Sequence, residues 1–308
     1  MCGQQADTYQ GEAVLAQAVA AYRQALGSRL VAGYALGSLA HGGFSPLVSD
    51  VDLGLILQDP PRASDRLTIR RVAGAVRAGG SALHERLSVF WGTPATLAGR
   101  ARGGRFPPPD RLDLLEYGRL LTGQDARQAV ARPDRAELLV AGAEFALGSL
   151  AGDPRLPDLL RGRARLRLHH DSALDEVRTP SLLVSRGPRR LTKIVIFPVR
   201  FLFTAQTGRV GTNDLAAGHY LAGAHAPAAE LVTAALAWRR EPPSDDEAAA
   251  VLVGRELIPL YVQYIDDHIP RLLAVNRHRL AGRFRRWRAR LLDRAKTPLS
   301  DNSGGTRD

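Results

Sequence analysis

Two aspartates and an upstream glycine–serine pair are the residues of this chain best suited by type and spacing to chemistry. Asp50 and Asp52 open the apolar segment VDLGLIL, and Gly37 and Ser38 end the apolar segment before it. Residues i and i+2 of a strand point to the same side, so we expect the two carboxylates to face the same way. Adjacent carboxylates repel each other unless a cation compensates them. Mg²⁺ fits this role, because it binds one or two carboxylates together with substrate phosphates.

The glycine–serine pair predicts the phosphate side of the same site. On a tight turn, Gly37 and Ser38 could offer backbone N–H groups and a hydroxyl to a phosphate. Ser38 could at the same time cap a short helix, and the two roles do not compete. A phosphate cradle beside a carboxylate pair is the equipment for nucleotidyl transfer, in which a metal positions the α-phosphorus for in-line attack. The residues therefore predict a Mg²⁺ cofactor and a nucleoside triphosphate substrate.

Hydrophobic periodicity predicts the elements that would position these residues. We expect helices over residues 12–26 and 63–78 and strands over residues 30–36, 51–57 and 87–91. Strand, turn, strand, helix and strand in this order form an α/β arrangement. Leu120 and Leu121 already look helical, and helical periodicity dominates after Arg135. The first part of the chain should therefore hold a small sheet, and the second part should be helical.

The segment over residues 36–57, LGSLAHGGFSPLVSDVDLGLIL, resembles the signature of the DNA polymerase β-like nucleotidyltransferase superfamily. That signature is a Gly-Ser pair, eleven intervening residues and Asp-x-Asp in a hydrophobic strand. Within the superfamily, the chain is most similar to aminoglycoside adenylyltransferases of the streptomycin/spectinomycin type. A second segment, FLFTAQTGRVGTNDLAAGHYLAG, resembles the helix–turn–helix of their C-terminal domain. The matching residues there are Thr207, Gly208, Arg209, Asp214, Ala216 and Ala217.

The resemblance implies an α+β fold in which a small mixed-sheet nucleotidyltransferase domain precedes an all-helical C-terminal domain. We place the first domain at residues 1–130, the helical substrate-binding domain at 131–296 and a disordered tail at 297–308. The implied activity is Mg²⁺-dependent transfer of AMP from ATP to a hydroxyl of a small molecule, with an aminoglycoside as a candidate acceptor. Asp50 and Asp52 would be catalytic and bind the metal, and Gly37 and Ser38 would bind the nucleotide.

The chain departs from the family pattern at the third carboxylate, which often acts as the general base. The expected position, on the strand after the aspartate pair, is Ser88. A serine neither binds Mg²⁺ strongly nor accepts a proton at neutral pH. Glu85 is a weak substitute, because it lies three residues earlier and has the wrong strand parity. An alternative interpretation follows, in which the protein binds a nucleotide without catalysing transfer.

A second departure is Asn213, which stands where the family turn carries a lysine thought to touch the nucleotide phosphates. Arg209 or Lys193 could replace that lysine. Glu116 is a candidate base or substrate contact in the cleft between the domains. Asp214 is better explained as a helix N-cap than as a substrate ligand.

His41 is expected to be exposed and without a role.

The composition favours a globular protein, with 45% hydrophobic and 24% charged residues. No secretory signal and no run of about 18 apolar residues is visible, so we expect a cytoplasmic protein that does not span a membrane. Cys2 is the one cysteine, which excludes an intramolecular disulfide.

The net charge of +11 has a local origin. Residues 271–296 hold ten basic residues and one acid, and the rest of the chain is nearly neutral. Written as a helix, this segment has an apolar face that includes Phe284 and Trp287, so a docked terminal helix with a solvated basic face explains it. Nucleic-acid binding is therefore not expected. The remaining alternative is a nucleotidyltransferase that modifies a protein or nucleic acid held by this basic end.

Overall fold

A computed structural model describes residues 2–152 and 176–295, so the predicted tail at 297–308 lies outside the described residues. Four strands form one mixed sheet in the order β3-β2-β1-β4. Strand β1 is antiparallel to both β2 and β4, and β2 is parallel to β3. The strands are β1 Leu30–Leu36, β2 Val51–Leu57, β3 Leu87–Gly92 and β4 Arg119–Gly123. This small sheet, followed by helices, confirms the predicted α+β class.

Within the described residues 2–130, six α-helices accompany the sheet. They are α1 Cys2–Leu26, α2 Ser38–His41, α3 Ala63–Arg77, α4 Ala82–Glu85, α5 Pro94–Leu97 and α6 Pro108–Tyr117. Alternation along β2 sends Leu53 and Leu55 to the face that α1 and α3 cover, while Ile56 packs on the opposite face with Leu114 of α6. The sheet is therefore buried on both sides, which agrees with the apolar sequence of β2.

The prediction of helix at Leu120 and Leu121 was wrong, because these residues belong to strand β4. Helix α6 ends at Tyr117, and a side chain at Gly118 would overlap the carbonyl oxygen of Leu114. The chain then pairs with β1 as an edge strand, and Leu120 is 40% exposed. Pairing with β1 overrides the local helical pattern.

Helix α1 also begins at Cys2, ten residues earlier than its apolar periodicity indicates.

The second part of the described chain is helical. Its helices are α7 Arg135–Ser149, α8 Pro180–Ser185, α9 Pro188–Thr207, α10 Asn213–Leu221, α11 Ala229–Trp238, α12 Asp246–Ala274 and α13 His278–Ala295. One large apolar cluster joins them and contains the fully buried Tyr261, Tyr264 and Trp287. Helices α9 and α10 form the predicted helix–turn–helix. The small cluster of Leu112, Leu138 and Val210 links α6 to this part, and the boundary near residue 130 stays a prediction.

The basic segment is two helices and not one. Helix α12 ends at Ala274 and α13 begins at His278, with Asn276 in the left-handed region at φ 58°. The expected apolar face of α13 is confirmed, since Phe284 and Trp287 are completely buried. By length and composition alone, α12 could cross a membrane, but core helices meet the same criterion. Tyr261 and Tyr264 of α12 lie in the core described above.

Candidate active site

Strands β1 and β2 bring the two aspartates and the glycine–serine pair together in one pocket. Asp52 lies opposite Leu36 in the β1–β2 register, and Asp50 immediately precedes β2. Gly37, directly after β1, has φ 60°, and a side chain there would overlap a carboxylate oxygen of Asp52. Glycine is therefore required at this position for two reasons, the backbone conformation and the closeness of Asp52. Ser38 lines the same pocket.

The turn after β1 differs in detail from the prediction. Gly37 is the N-cap of α2, and Ser38 is the first residue inside the helix, so Ser38 is not the cap. The N–H of Gly37 donates a hydrogen bond of 2.6 Å to Oδ2 of Asp113 and is already engaged. A phosphate bound at this turn would therefore meet Ser38 and not the Gly37 N–H.

Helix α6 adds two carboxylates to the pocket that the sequence interpretation missed, those of Asp110 and Asp113. Their spacing of three residues places them on one face of a helix, and this was the available signal. Burial and the neighbouring Asp113 raise the pKa of Asp110 to about 7. Burial, together with the charges of Asp50, Asp110 and Asp113, raises the pKa of Asp52 well above its usual range. The wall formed by the first part of the chain is thus acidic.

Helix α9 forms the opposite, basic wall. Nζ of Lys193 lies 2.7 Å from Oδ2 of Asp50, and Nη2 of Arg189 lies 2.6 Å from Oδ1. Burial acts to raise the pKa of Asp50, but Lys193 and Arg189 outweigh burial, and the pKa is lowered. Burial also lowers the pKa of Lys193 despite its carboxylate partner. Lys193, one of the predicted replacements for the family lysine, therefore does lie in the pocket.

Two further arginines that the sequence interpretation missed line this wall. Arg200 of α9 has no hydrogen bond or ion pair within the described ranges, which leaves its guanidinium available to an anion. Arg239, directly after α11, donates a 2.9 Å hydrogen bond to the carbonyl oxygen of Gly43. Its guanidinium also lies 2.8 Å from the side-chain amide of Asn213. The position where the resemblance expects a lysine is thus next to an arginine from another helix.

The other candidates do not line the pocket. Ser88 pairs in register with Asp52, as expected, but carries no carboxylate. Glu85 is exposed at the end of α4. Glu116 forms an ion pair of 2.9 Å with Arg132.

The two candidates in the helix–turn–helix also lie elsewhere. Arg209 is exposed, and Asp214 is exposed in the first turn of α10. Asp214 is not the N-cap, because Oγ1 of Thr212 accepts the capping hydrogen bond from the N–H of Leu215 at 3.1 Å. The exposure predicted for His41 was also wrong, since its side chain is only 6% exposed and lines the pocket.

Asp50 and Asp52 can hold a divalent metal only when a bound nucleotide supplies further oxygen ligands. Among the described residues, no three His, Cys, Asp or Glu side chains are grouped so that they could hold a metal ion. Mg²⁺ commonly takes one or two carboxylates and completes its shell with phosphate oxygens and water. Burial and the neighbouring carboxylates raise the pKa of Asp52, and a metal bound with a nucleotide would favour its charged form.

Comparisons with known proteins reveal similarity to a solved structure and no matching sequence family. No family model matches the sequence, and no curated protein matches it significantly. The crystal structure of spectinomycin adenyltransferase AAD(9) from Enterococcus faecialis with ATP and spectinomycin has a similar fold, with a TM-score of 0.48 and 12% sequence identity. The match covers 81% of this chain and 98% of the other. At this identity and TM-score, the similarity assigns no activity to the chain.

Proposed function

We propose that the protein is a nucleotidyltransferase that moves AMP from ATP to a hydroxyl of a small-molecule acceptor. The observation that carries the proposal is the division of one pocket into an acidic wall and a basic wall. Asp50 and Asp52 stand on the acidic side, and Lys193, Arg200 and Arg239 stand on the basic side. A metal-bound triphosphate has this distribution of charge, with a cation on one side and phosphate oxygens on the other.

Each side of the pocket would contribute a different part of the reaction. Asp50 and Asp52 would hold Mg²⁺, which when bound polarises the α-phosphate and stabilises charge on the leaving oxygen. Lys193 and Arg200 would orient the triphosphate, and the guanidinium of Arg200 could make paired hydrogen bonds to phosphate oxygens. Ser38 would contact a phosphate from the turn after β1. Fixing the phosphates in this way aligns the acceptor oxygen, the α-phosphorus and the leaving oxygen.

The acceptor would enter beside the acidic wall. Asp110 and Asp113 present carboxylates that the triphosphate, itself an anion, would avoid. Such a surface suits an acceptor with hydroxyl and amino groups, and aminoglycosides are therefore the first class to examine. The protein would carry out this reaction in the cytoplasm.

The direct test is to incubate the full chain with radiolabelled ATP, Mg²⁺ and a panel of aminoglycosides, proteins and tRNA. The proposal expects labelled AMP on a small molecule and release of pyrophosphate. It also expects that the double variant Asp50→Asn with Asp52→Asn neither transfers AMP nor binds Mg²⁺–ATP. Undiminished Mg²⁺–ATP binding by the double variant would refute the proposed metal site.

The two alternatives from the sequence predict different results. A non-catalytic nucleotide-binding protein, favoured by Ser88, would bind ATP without labelling any acceptor. An enzyme for macromolecules would label a protein or tRNA. Deletion of residues 271–296 cannot test the latter, because it would remove Phe284 and Trp287 from the core. The substitutions Arg285→Glu and Arg286→Glu, at exposed positions of α13, test the basic surface with the core intact.

A further inference from the structure

His41 is a buried titratable group in the pocket to which the reaction above assigns no role. It is the last residue of α2, and its ring packs edge-on against Tyr117 with centroids 5.6 Å apart. The strand position where the resemblance expects a proton acceptor holds Ser88, which cannot act as one. The pocket thus lacks the expected base on β3 and has an imidazole on the turn that also carries Ser38.

The contacts of the imidazole determine which nitrogen carries the proton. Nδ1 of His41 lies 3.0 Å from the carbonyl oxygen of Gly42. A carbonyl oxygen only accepts hydrogen bonds, so Nδ1 must be the protonated nitrogen and Nε2 keeps its lone pair. Nε2 lies 3.9 Å from Oδ1 of Asp113, which is too far for a direct hydrogen bond. The lone pair of Nε2 is therefore available to a hydroxyl in the pocket.

The charged neighbours of His41 favour a neutral ring that can be protonated transiently. Burial and Arg200 lower the pKa of His41, while Asp113 acts to raise it. The neutral form is the one that accepts a proton. Asp113 is held in place by the N–H of Gly37 and would stabilise the imidazolium once it forms. In the recurring arrangement of a histidine base, the partner that orients the ring accepts the proton of Nδ1, and here that partner is the carbonyl oxygen of Gly42.

Resting on the function proposed above, we infer that His41 is the general base and that the carbonyl oxygen of Gly42 orients its ring. Nε2 of His41 takes the proton of the acceptor hydroxyl as the oxygen attacks the α-phosphorus. A bond forms between that oxygen and phosphorus, and the bond from the α-phosphorus to the bridging oxygen breaks. Pyrophosphate leaves with the electron pair, and the proton on Nε2 passes to solvent after product release.

Asp110 is the competing proton acceptor, because it lines the same pocket and its pKa is raised to about 7. His41 differs from Asp110 in having one nitrogen fixed as a donor and the other left free. The experiment therefore compares His41→Gln, His41→Ala and Asp110→Asn in the full chain. The matched control is His84→Gln, since His84 is hydrogen-bonded to Gln17 and lies outside the pocket.

Transfer of labelled AMP and the affinity for Mg²⁺–ATP are measured separately. We expect His41→Gln to lower kcat by about 100-fold or more while ATP affinity stays close to that of the wild type. Added imidazole should restore part of the activity of His41→Ala, which a purely structural role would not allow. His84→Gln should behave like the wild type.

Several results would overturn the role of His41 alone. Transfer at the wild-type rate by His41→Gln would do so, as would loss of transfer in Asp110→Asn with His41→Gln unaffected. A nitrogen NMR spectrum of labelled histidine that places the proton of neutral His41 on Nε2 would also refute it. If the wild type binds Mg²⁺–ATP but labels no acceptor, the proposed function itself fails, and the role of His41 fails with it.

Discussion

The Nζ atom of Lys193 lies 2.7 Å from Oδ2 of Asp50, a residue 143 positions earlier in the chain. This contact joins helix α9 to the start of strand β2 across the pocket. Both side chains remain about one-quarter exposed, so the ion pair is accessible to an entering ligand. Lys193, which neutralises Asp50 together with Arg189, could thus move to a phosphate when a metal–nucleotide complex binds.

Replacement of Lys193 by methionine should affect metal and nucleotide in opposite directions. Loss of a charged hydrogen bond to phosphate should weaken Mg²⁺–ATP binding by about tenfold or more. Binding of Mn²⁺ alone should become tighter, because Asp50 loses a competing cation. Calorimetry with ATP and magnetic resonance with Mn²⁺ measure the two effects. Arg66→Met, at an exposed position of α3, is the control. A parallel loss of both affinities would contradict the movement of Lys193 from Asp50 to a phosphate.

Asp52→Asn should abolish transfer without destabilising the protein. Burial of Asp52 and repulsion from the charges of Asp50, Asp110 and Asp113 raise the pKa of its carboxyl. Removing the charge relieves that repulsion, so the Tm at pH 8 should stay the same or rise. Transfer should fall by about 100-fold or more, since the metal loses a ligand. A large drop in Tm would show that the carboxylate is structural.

Gly37→Ala should damage the site more than an alanine at another left-handed glycine. The backbone strain at φ 60° costs about 1–3 kcal/mol, and the added methyl group also overlaps Asp52. Gly27 has φ 51° with no atom near its hypothetical side chain, so Gly27→Ala carries the strain alone. Chemical denaturation of the two variants should show the larger loss of unfolding free energy for Gly37→Ala. Equal destabilisation with transfer retained would contradict the close approach of Gly37 to Asp52.

Asp110→Asn should change how the stability of the protein depends on pH. The pKa of Asp110 is about 7 in the folded protein against an ordinary value of 3.8, so the folded state binds the proton more tightly. The stabilisation that comes from this tighter proton binding is complete below pH 4 and is lost as the pH rises through 7. At pH 8 the variant should exceed the wild type in unfolding free energy by about 2–4 kcal/mol, and near pH 4 the difference should vanish. Parallel pH profiles of the two proteins would refute the shifted pKa.

Substitutions on the buried face of α13 and on its basic surface should have different effects. Trp287 is fully buried against Tyr261 and Tyr264, so Trp287→Ala should lower the unfolding free energy by about 3–5 kcal/mol. Arg285→Glu combined with Arg286→Glu should leave both stability and AMP transfer to a small molecule nearly unchanged. Thermal unfolding and the labelling assay check both expectations. Loss of transfer in the double variant would instead favour a macromolecular target.

The sequence by itself determined the local part of the site. Gly37, Ser38, Asp50 and Asp52 lie at the ends of two neighbouring strands, and the strand period in VDLGLIL indicates which way the aspartates face. The same periodicity predicted β1 to β3, the helical second part and the buried face of α13. In each case the signal comes from residues close together in the chain, where strand and helix periods apply.

Only the tertiary structure decided what lies opposite these residues. Lys193 meets Asp50, and Asp113 reaches the N–H of Gly37, through the packing of α9 and α6 against the strand ends. His41, which looks like a turn residue in the sequence, is enclosed by Tyr117 and Asp113. Burial and charge at such contacts depend on distances in space, and periodicity along the chain carries no information about those distances.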